Sequence, residues 1–206
     1  MIQEVRVQRT DQSVSDGVVT QVRGGQTGEM AVAQAHARFY DAVRRGNVFT
    51  ASIPVTALSV NSTTFTGLAI ANPVGSGKIF SLLEVLVGIS TSTTASAGVI
   101  LTGGSQVTAI TTNLVTQLNA FMGGGGSSSK AVCSSGSTIT TATQMRSIWD
   151  TGLATSATAP TPAPMPFIKD QVDGALLIAP GQLISLQAIT TAISVHASFT
   201  WEEIPQ

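Results

Sequence analysis

The sequence predicts an all-β protein, a β-sandwich of jelly-roll type, preceded by an arm that is extended or partly helical. Three observations carry this. From Phe49 onward, short β-branched and apolar runs alternate with Gly, Pro, Asn and Ser, the texture of many short strands joined by turns. The run Ala192–Glu202 puts Ile193, Val195, Ala197, Phe199 and Trp201 on one side and Ser194, His196, Ser198, Thr200 and Glu202 on the other. That is the two-residue period of a half-buried strand. Charge, finally, is split: residues 1–46 hold six Arg and five acids, while residues 47–206 hold only 10 charged side chains. The chain therefore reads as an arm, 1–46, and a β-sandwich body, 47–206.

Residues 1–27 alternate weakly through Val5, Val7, Val18, Val19 and Val22, and are interrupted by Gly17, Gly24 and Gly25. They read as extended or irregular. Residues 28–45 predict one helix. Thr27 is a suitable cap and Glu29 suits the positive end of the helix dipole. Met30, Ala33, Ala37, Tyr40 and Val43 fall at helical spacing. Arg44 and Arg45 suit the C-terminal end, and Gly46 is a natural stop.

The expected strands are Phe49–Val60, Thr64–Ala71, Lys78–Ile89, Ala97–Leu101, Val107–Leu118, Thr138–Thr143, Ala175–Ile178, Gln182–Ile189 and Ala192–Glu202. Nine short strands with turns between them predict a sandwich. Lys78–Ile89 is apolar on both faces apart from Ser81 and Glu84. One face is expected in its own core and the other, through Phe80, Leu82 and Leu86, against a second subunit. Gly123–Gly126 with Ser127–Ser129 predicts a flexible loop. Ala159–Phe167 has prolines at 160, 162, 164 and 166 and predicts an extended connector.

Composition excludes several functions. The 206 residues include 10 basic and 11 acidic side chains, a net charge of −1, and only 10% are charged, against about 25% in ordinary soluble domains. That balance argues against a generic nucleic-acid binder. The Arg residues of the arm are interleaved with acids, which suits protein contacts better than phosphates. Cys133 is the one cysteine, so an intramolecular disulfide and a cysteine-built zinc site are excluded. The first residues hold no apolar signal-peptide core. The longest apolar stretch, Ile79–Ile89, is too short to span a bilayer, so no membrane partner is expected.

Catalytic and cofactor motifs are missing from the pattern. Gly75-Ser76-Gly77-Lys78 lacks the upstream Gly and the downstream Ser or Thr of a phosphate loop, and reads as a hairpin turn before a strand. A triad needs a base, and the two histidines do not suit one: His36 falls in the expected helix and His196 on the polar face of the last strand among Ser and Thr, where each reads as a surface or interface histidine, and no Gly-x-Ser-x-Gly elbow occurs. Glu202–Glu203 and the pair Asp170 and Asp173 read as solvated strand-end and loop charges. Cys133 reads as a passive thiol. Asn61-Ser62-Thr63 matches a glycosylation sequon that matters only in a secreted eukaryotic chain. No cofactor and no enzymatic activity are expected.

Several phrases occur together: Gly28-Glu29-Met30, Arg45-Gly46-Asn47-Val48-Phe49, Ala71-Asn72-Pro73 with Gly75-Ser76-Gly77-Lys78, Ile178-Ala179-Pro180-Gly181, and Ala197-Ser198-Phe199-Thr200-Trp201-Glu202-Glu203-Ile204-Pro205. The set resembles a group of tailed-bacteriophage virion proteins. The resemblance implies a structural β-sandwich protein of the capsid decoration, or cement, type, made in the bacterial cytoplasm and carried as a homotrimer on the capsid surface. On that reading the partner is the major capsid protein. Arg6, Arg9, Arg23, Arg38, Tyr40, Arg44 and Arg45 of the arm would clamp neighbouring capsomers, and three arms per trimer would add avidity. The alternative is a tail or head-fibre component that binds a host-surface glycan or protein.

Overall fold

The described residues of the computed structural model, 38–90, 97–106, 108–123, 128–150 and 167–206, form eleven strands and one short helix. They are α1 (Tyr40–Arg44), β1 (Val48–Ala57), β2 (Thr64–Ala71), β3 (Lys78–Ile89), β4 (Gly98–Ser105), β5 (Leu114–Val115) and β6 (Leu118–Asn119). Then follow β7 (Val132–Thr138), β8 (Thr143–Asp150), β9 (Phe167–Ile178), β10 (Gln182–Ala188) and β11 (Ser194–Pro205). Phe39–Gln206 forms one compact unit.

The first sheet runs β6-β1-β11-β3-β9 and the second β5-β7-β2-β10-β4-β8. The pairs β1·β11, β2·β10, β3·β9 and β4·β8 are all antiparallel. Each joins an early strand to its late counterpart, as in one long hairpin folded near β4 and β8. Successive strands of that hairpin fall in opposite sheets, so the hairpin is rolled into a sandwich. This is the jelly roll the strand pattern predicted. Strands β5, β6 and β7 are an insertion between β4 and β8. They extend both sheets on the β1/β2 side.

The inward residues follow from alternation. Phe49, Ala51 and Ile53 of β1 meet Val195, Ala197, Phe199 and Trp201 of β11, and these face Leu68, Ile70, Leu101, Ile184 and Leu186 of the second sheet, all buried in one core. Phe49 and Trp201 stack with ring centroids 6.1 Å apart. Each fully buried large apolar side chain contributes about 1.5–3 kcal/mol. The second sheet is also buried on its other face. There Phe65, Ala69, Ala71, Ile139 and Leu183 form a smaller cluster, with Ile110 and Ala142 packed against it.

Two glycines are required by close approaches. Gly67 lies where the β2–β7 register shifts and has φ +142°. A Cβ there would sit 2.0 Å from the Leu186 carbonyl oxygen, and backbone cannot yield that much. At Gly88 a Cβ would sit 2.0 Å from Nε2 of His196. The imidazole therefore occupies the space that a side chain at 88 would fill.

Several expectations are corrected. Strand β3 does not present Phe80, Leu82 and Leu86 on one outward face. Its registers to both β11 and β9 shift between Leu82 and Glu84, so Leu83 is an extra residue and the alternation changes phase. Phe80 and Leu82 before the bulge, and Val85, Val87 and Ile89 after it, all point into the core. Phe80 and Leu82 are 0% exposed. Only Leu86 lies on the opposite face, half-buried.

The expected strand Thr138–Thr143 is a connection, because the flanking runs Val132–Thr138 and Thr143–Asp150 are the strands and Ile139 is drawn into the smaller cluster. The strand expected at Ala175–Ile178 begins at Phe167. Its charged first half was not read as strand. The run Val107–Leu118 yields only the two-residue strands β5 and β6. Gly75–Lys78 is a turn, but it crosses between sheets and so is not a hairpin. Of the predicted helix, 28–37 lie outside the described residues. The described part ends as expected, with Gly46 at φ 73°.

Candidate functional site

The expected partner-binding residues divide in two. Arg6, Arg9 and Arg23 lie outside the described residues. Arg38, Arg44 and Arg45 are exposed, and Tyr40 is partly so. Tyr40 and Arg44 are four apart on α1 and share a face. Val43 N–H donates to Phe39 O at 2.9 Å and Arg45 N–H to Asp41 O at 3.0 Å. The helix is held against β6, because Asn119 Nδ2 donates to Gly46 O at 2.8 Å. Tyr40, Arg44 and Arg45 are thus presented from a fixed base.

The buried groups sort into structural roles. Glu203 was expected to be solvated, but β11 continues to Pro205 and places it on the inward phase with Trp201. It is buried. Its Oε1 accepts from Ser129 Oγ at 2.6 Å, from Lys130 N–H at 2.9 Å and from Ala131 N–H at 3.3 Å. Trp201 Nε1 donates to it at 3.4 Å. A buried carboxylate is tolerated because these donors replace water, and the result pins the start of β7 to the end of β11. Asn72, in one of the phrases singled out above, works similarly. Its Nδ2 donates to Lys78 O and Ile178 O, both at 2.8 Å, and Gly181 N–H donates to Asn72 O at 2.7 Å. The turns after β2 and β9 are tied together by that one side chain.

Cys133 is buried in β7, and burial pushes its thiol up to about 12. A thiol held protonated is a poor nucleophile. Asp170, also expected to be solvated, is largely buried and accepts a bidentate pair from Arg146. Nε donates to Oδ2 at 2.7 Å and a terminal nitrogen to Oδ1 at 2.8 Å. The pair links β8 to β9, the last strands of the two sheets. Asp170, as partner and nearby charge, raises the Arg146 guanidinium above its ordinary value. Lys169 meets Glu84 at 2.6 Å on the outer face of the first sheet.

No group of three or more His, Cys, Asp or Glu among the described residues is placed to hold a metal ion. A cleft of about 320 Å³ beside Gly103, Met145, Leu177 and Gln182 is lined by no titratable side chain.

Two surface features remain. On the outer face of the first sheet, His196 lies over Gly88 and stacks on exposed Phe167, with ring centroids 6.4 Å apart. Ser52, Leu86 and Ser198 join them around a shallow cleft of about 130 Å³. On the β5–β6 flank, Leu114, Leu118, Phe121 and Met122 are exposed. Sequence reading missed this flank, because the run was taken for an ordinary strand. Its signal was present: residues 85–129 contain no charged side chain.

No family model, curated protein or solved structure matches the chain.

Proposed function

We propose that this chain is a structural protein of a tailed-bacteriophage virion, a capsid decoration protein that assembles as a trimer and whose arm clamps neighbouring capsomers of the major capsid protein. The proposal is non-catalytic. The observation that carries it is the division of labour within the chain. A jelly-roll body of 160 residues has only 10 charged side chains, and it follows a segment with six Arg, of which Arg44 and Arg45 stand exposed beside the first strand. A surface so poor in ionic groups suits contact with other protein, and Arg suits interfaces. The resemblance in the phrases around Asn72, Pro180 and Trp201 agrees with it.

The test is copy number in purified virions together with binding by a truncated protein. Hundreds of copies per particle, and loss of capsid binding on removal of residues 1–46, are expected. About a dozen copies, or undiminished capsid binding without those residues, would overturn the clamp.

A tail or head-fibre receptor binder is the second reading. It is favoured by one feature, the exposed Phe167 stacked on His196 beside two serines, since aromatic faces with nearby hydroxyls suit sugar rings. Glycan-array binding that disappears in Phe167→Ala would favour it over the capsid reading.

A further inference from the structure

We infer that the outer face of the first sheet holds a site for one neutral pyranose ring, laid on Phe167 and His196 and hydrogen-bonded by Ser198 and Ser52. This deepens the receptor-binding reading above and rests on it, because it names the ligand class that such a receptor presents.

Strand pairing sets the site out in rows across β9, β3, β11 and β1. Gly88 is the register partner of both Phe167 and His196. Two residues away, Leu86 is the partner of Lys169 and Ser198, and Ser198 is the partner of Ser52. The next row holds Glu84, partner of Gln171 and Thr200. Residues two apart in a strand share a face. These rows therefore lie on the outer side, in the phase opposite to buried Val85, Val87, Val195 and Ala197.

Gly88 is what lets the two rings meet. A Cβ there would sit 2.0 Å from His196 Nε2. Without one, the imidazole lies over β3, 6.4 Å from the Phe167 ring and 29° from parallel to it. Phe167 is still 64% exposed, so most of its ring is open.

An open aromatic face carries the negative side of the ring quadrupole. It attracts the slightly positive C–H groups on the apolar side of a pyranose. The hydroxyls at the rim of such a ring need partners that both donate and accept, as a serine hydroxyl does. Ser52 and Ser198 line the cleft beside Phe167 and Leu86. Thr50, one row further along β1, is different: its hydroxyl already donates to Phe199 O at 3.0 Å.

Size and charge narrow the ligand. The cleft holds about 130 Å³, below the roughly 300–1,000 Å³ of sites for drug-sized ligands. It suits a single ring, with the rest of a glycan in solvent. One exposed aromatic among hydroxyls also falls far short of the ~800 Å² that each partner gives to a stable protein interface. The one Lys or Arg on these rows is Lys169, and Glu84 takes it at 2.6 Å. A sugar carboxylate or sulfate would find no unpaired Lys or Arg there and would meet Glu84.

The experiment is an amide-resolved NMR titration of the full chain with the methyl glycosides of galactose, glucose and mannose, and with methyl glucuronide as the anionic probe. At least one neutral glycoside is expected to shift Gly88, Phe167, His196 and Ser198, saturating in the millimolar range that so shallow a site allows. The glucuronide should bind roughly tenfold more weakly. Phe167→Ala and Ser52→Ala/Ser198→Ala should each weaken binding by about tenfold or more. Both change residues at the surface, and a circular dichroism melt verifies that the fold is kept. Phe121→Ala, an exposed aromatic elsewhere, should change nothing. If no neutral glycoside moves those amides, if the shifts survive Phe167→Ala, or if the glucuronide binds as well as the neutral rings, the assignment is wrong. A glycan array separates this from the reading beneath it. Glycans held equally by the wild type and Phe167→Ala would leave a receptor binder without this site, whereas a wild type that holds no glycan would remove glycan recognition altogether.

Discussion

The two flanks of the sandwich solve the same problem in opposite ways. Each ends in the outermost strands of the two sheets. At β8–β9 the bidentate Arg146–Asp170 pair ties the sheets together at the surface, with the Lys169–Glu84 pair nearby on the outer face. At β5–β6 the fastening is internal. Glu203 holds the segment 129–131, Cys133 lies buried in β7 opposite Val115 of β5, and Leu114, Leu118, Phe121 and Met122 are exposed. Charge on an edge costs little in water and discourages further pairing. The difference teaches that charge in this body is unevenly placed: residues 85–129 hold none, while β8 and β9 hold five charged side chains.

Removing Phe80 tests whether it belongs to the core or to a surface between copies. Phe80→Ala should lower unfolding free energy by about 3–5 kcal/mol, measured by denaturant titration at concentrations where the chain is monomeric. A loss that appears only when copies associate would return Phe80 to an interface. Glu203→Gln strikes the anchored side. It leaves the donors of Ser129, Lys130 and Ala131 facing a neutral acceptor, with an expected loss of about 1.5–3 kcal/mol. Hydrogen exchange should rise first at 129–133.

Alkaline pH probes the same flank through Cys133. Its thiol is held up at about 12 in the folded chain, against an ordinary value of 9.0. The folded state therefore keeps a proton that the unfolded state releases. The contribution is intact below pH 9 and is lost as pH climbs from 9 toward 12, at about 1.4 kcal/mol per pH unit at most. A Cys133→Ala variant should show a shallower fall in melting temperature over that window. The native thiol should also resist alkylating reagents at pH 8. Fast labelling of the folded chain would contradict its burial.

The charged flank should be the weakest to perturbation. Arg146 is partly exposed, so its pair is discounted for solvent screening. Arg146→Ala is expected to cost only about 0.5–1 kcal/mol, and less in high salt. A larger loss than that of Glu203→Gln would reverse the comparison of the two sides.

Much of the fold is legible from residue order alone. Thr64–Ala71 and Lys78–Ile89 were bounded at the residues where β2 and β3 begin and end. Alternation through Ile193–Trp201 named the buried side of β11. Runs of β-branched residues between turn formers show strands because each strand must bury one side whatever its neighbours are. Likewise Gly46 stops α1 through its own backbone preference, and the shortage of charge in the body is plain composition.

What needed the folded chain is everything set by residues distant in sequence. The extra residue at Leu83 shifts the phase of β3, and only the registers to β9 and β11 reveal it. Glu203 became a buried anchor because β11 runs three residues beyond Glu202 and meets 129–131 from the insertion. The first half of β9 hid behind Lys169, Asp170 and Asp173, whose charges are met by Arg146 and Glu84 from other strands or stand near the strand's Gly174 turn of backbone. The apolar flank emerged once β5 and β6 were seen to end both sheets on one side. Local periodicity reports which side of a strand is buried. Pairing partners, bulges and edges are decided by contacts between strands tens of residues apart, and no local pattern encodes them.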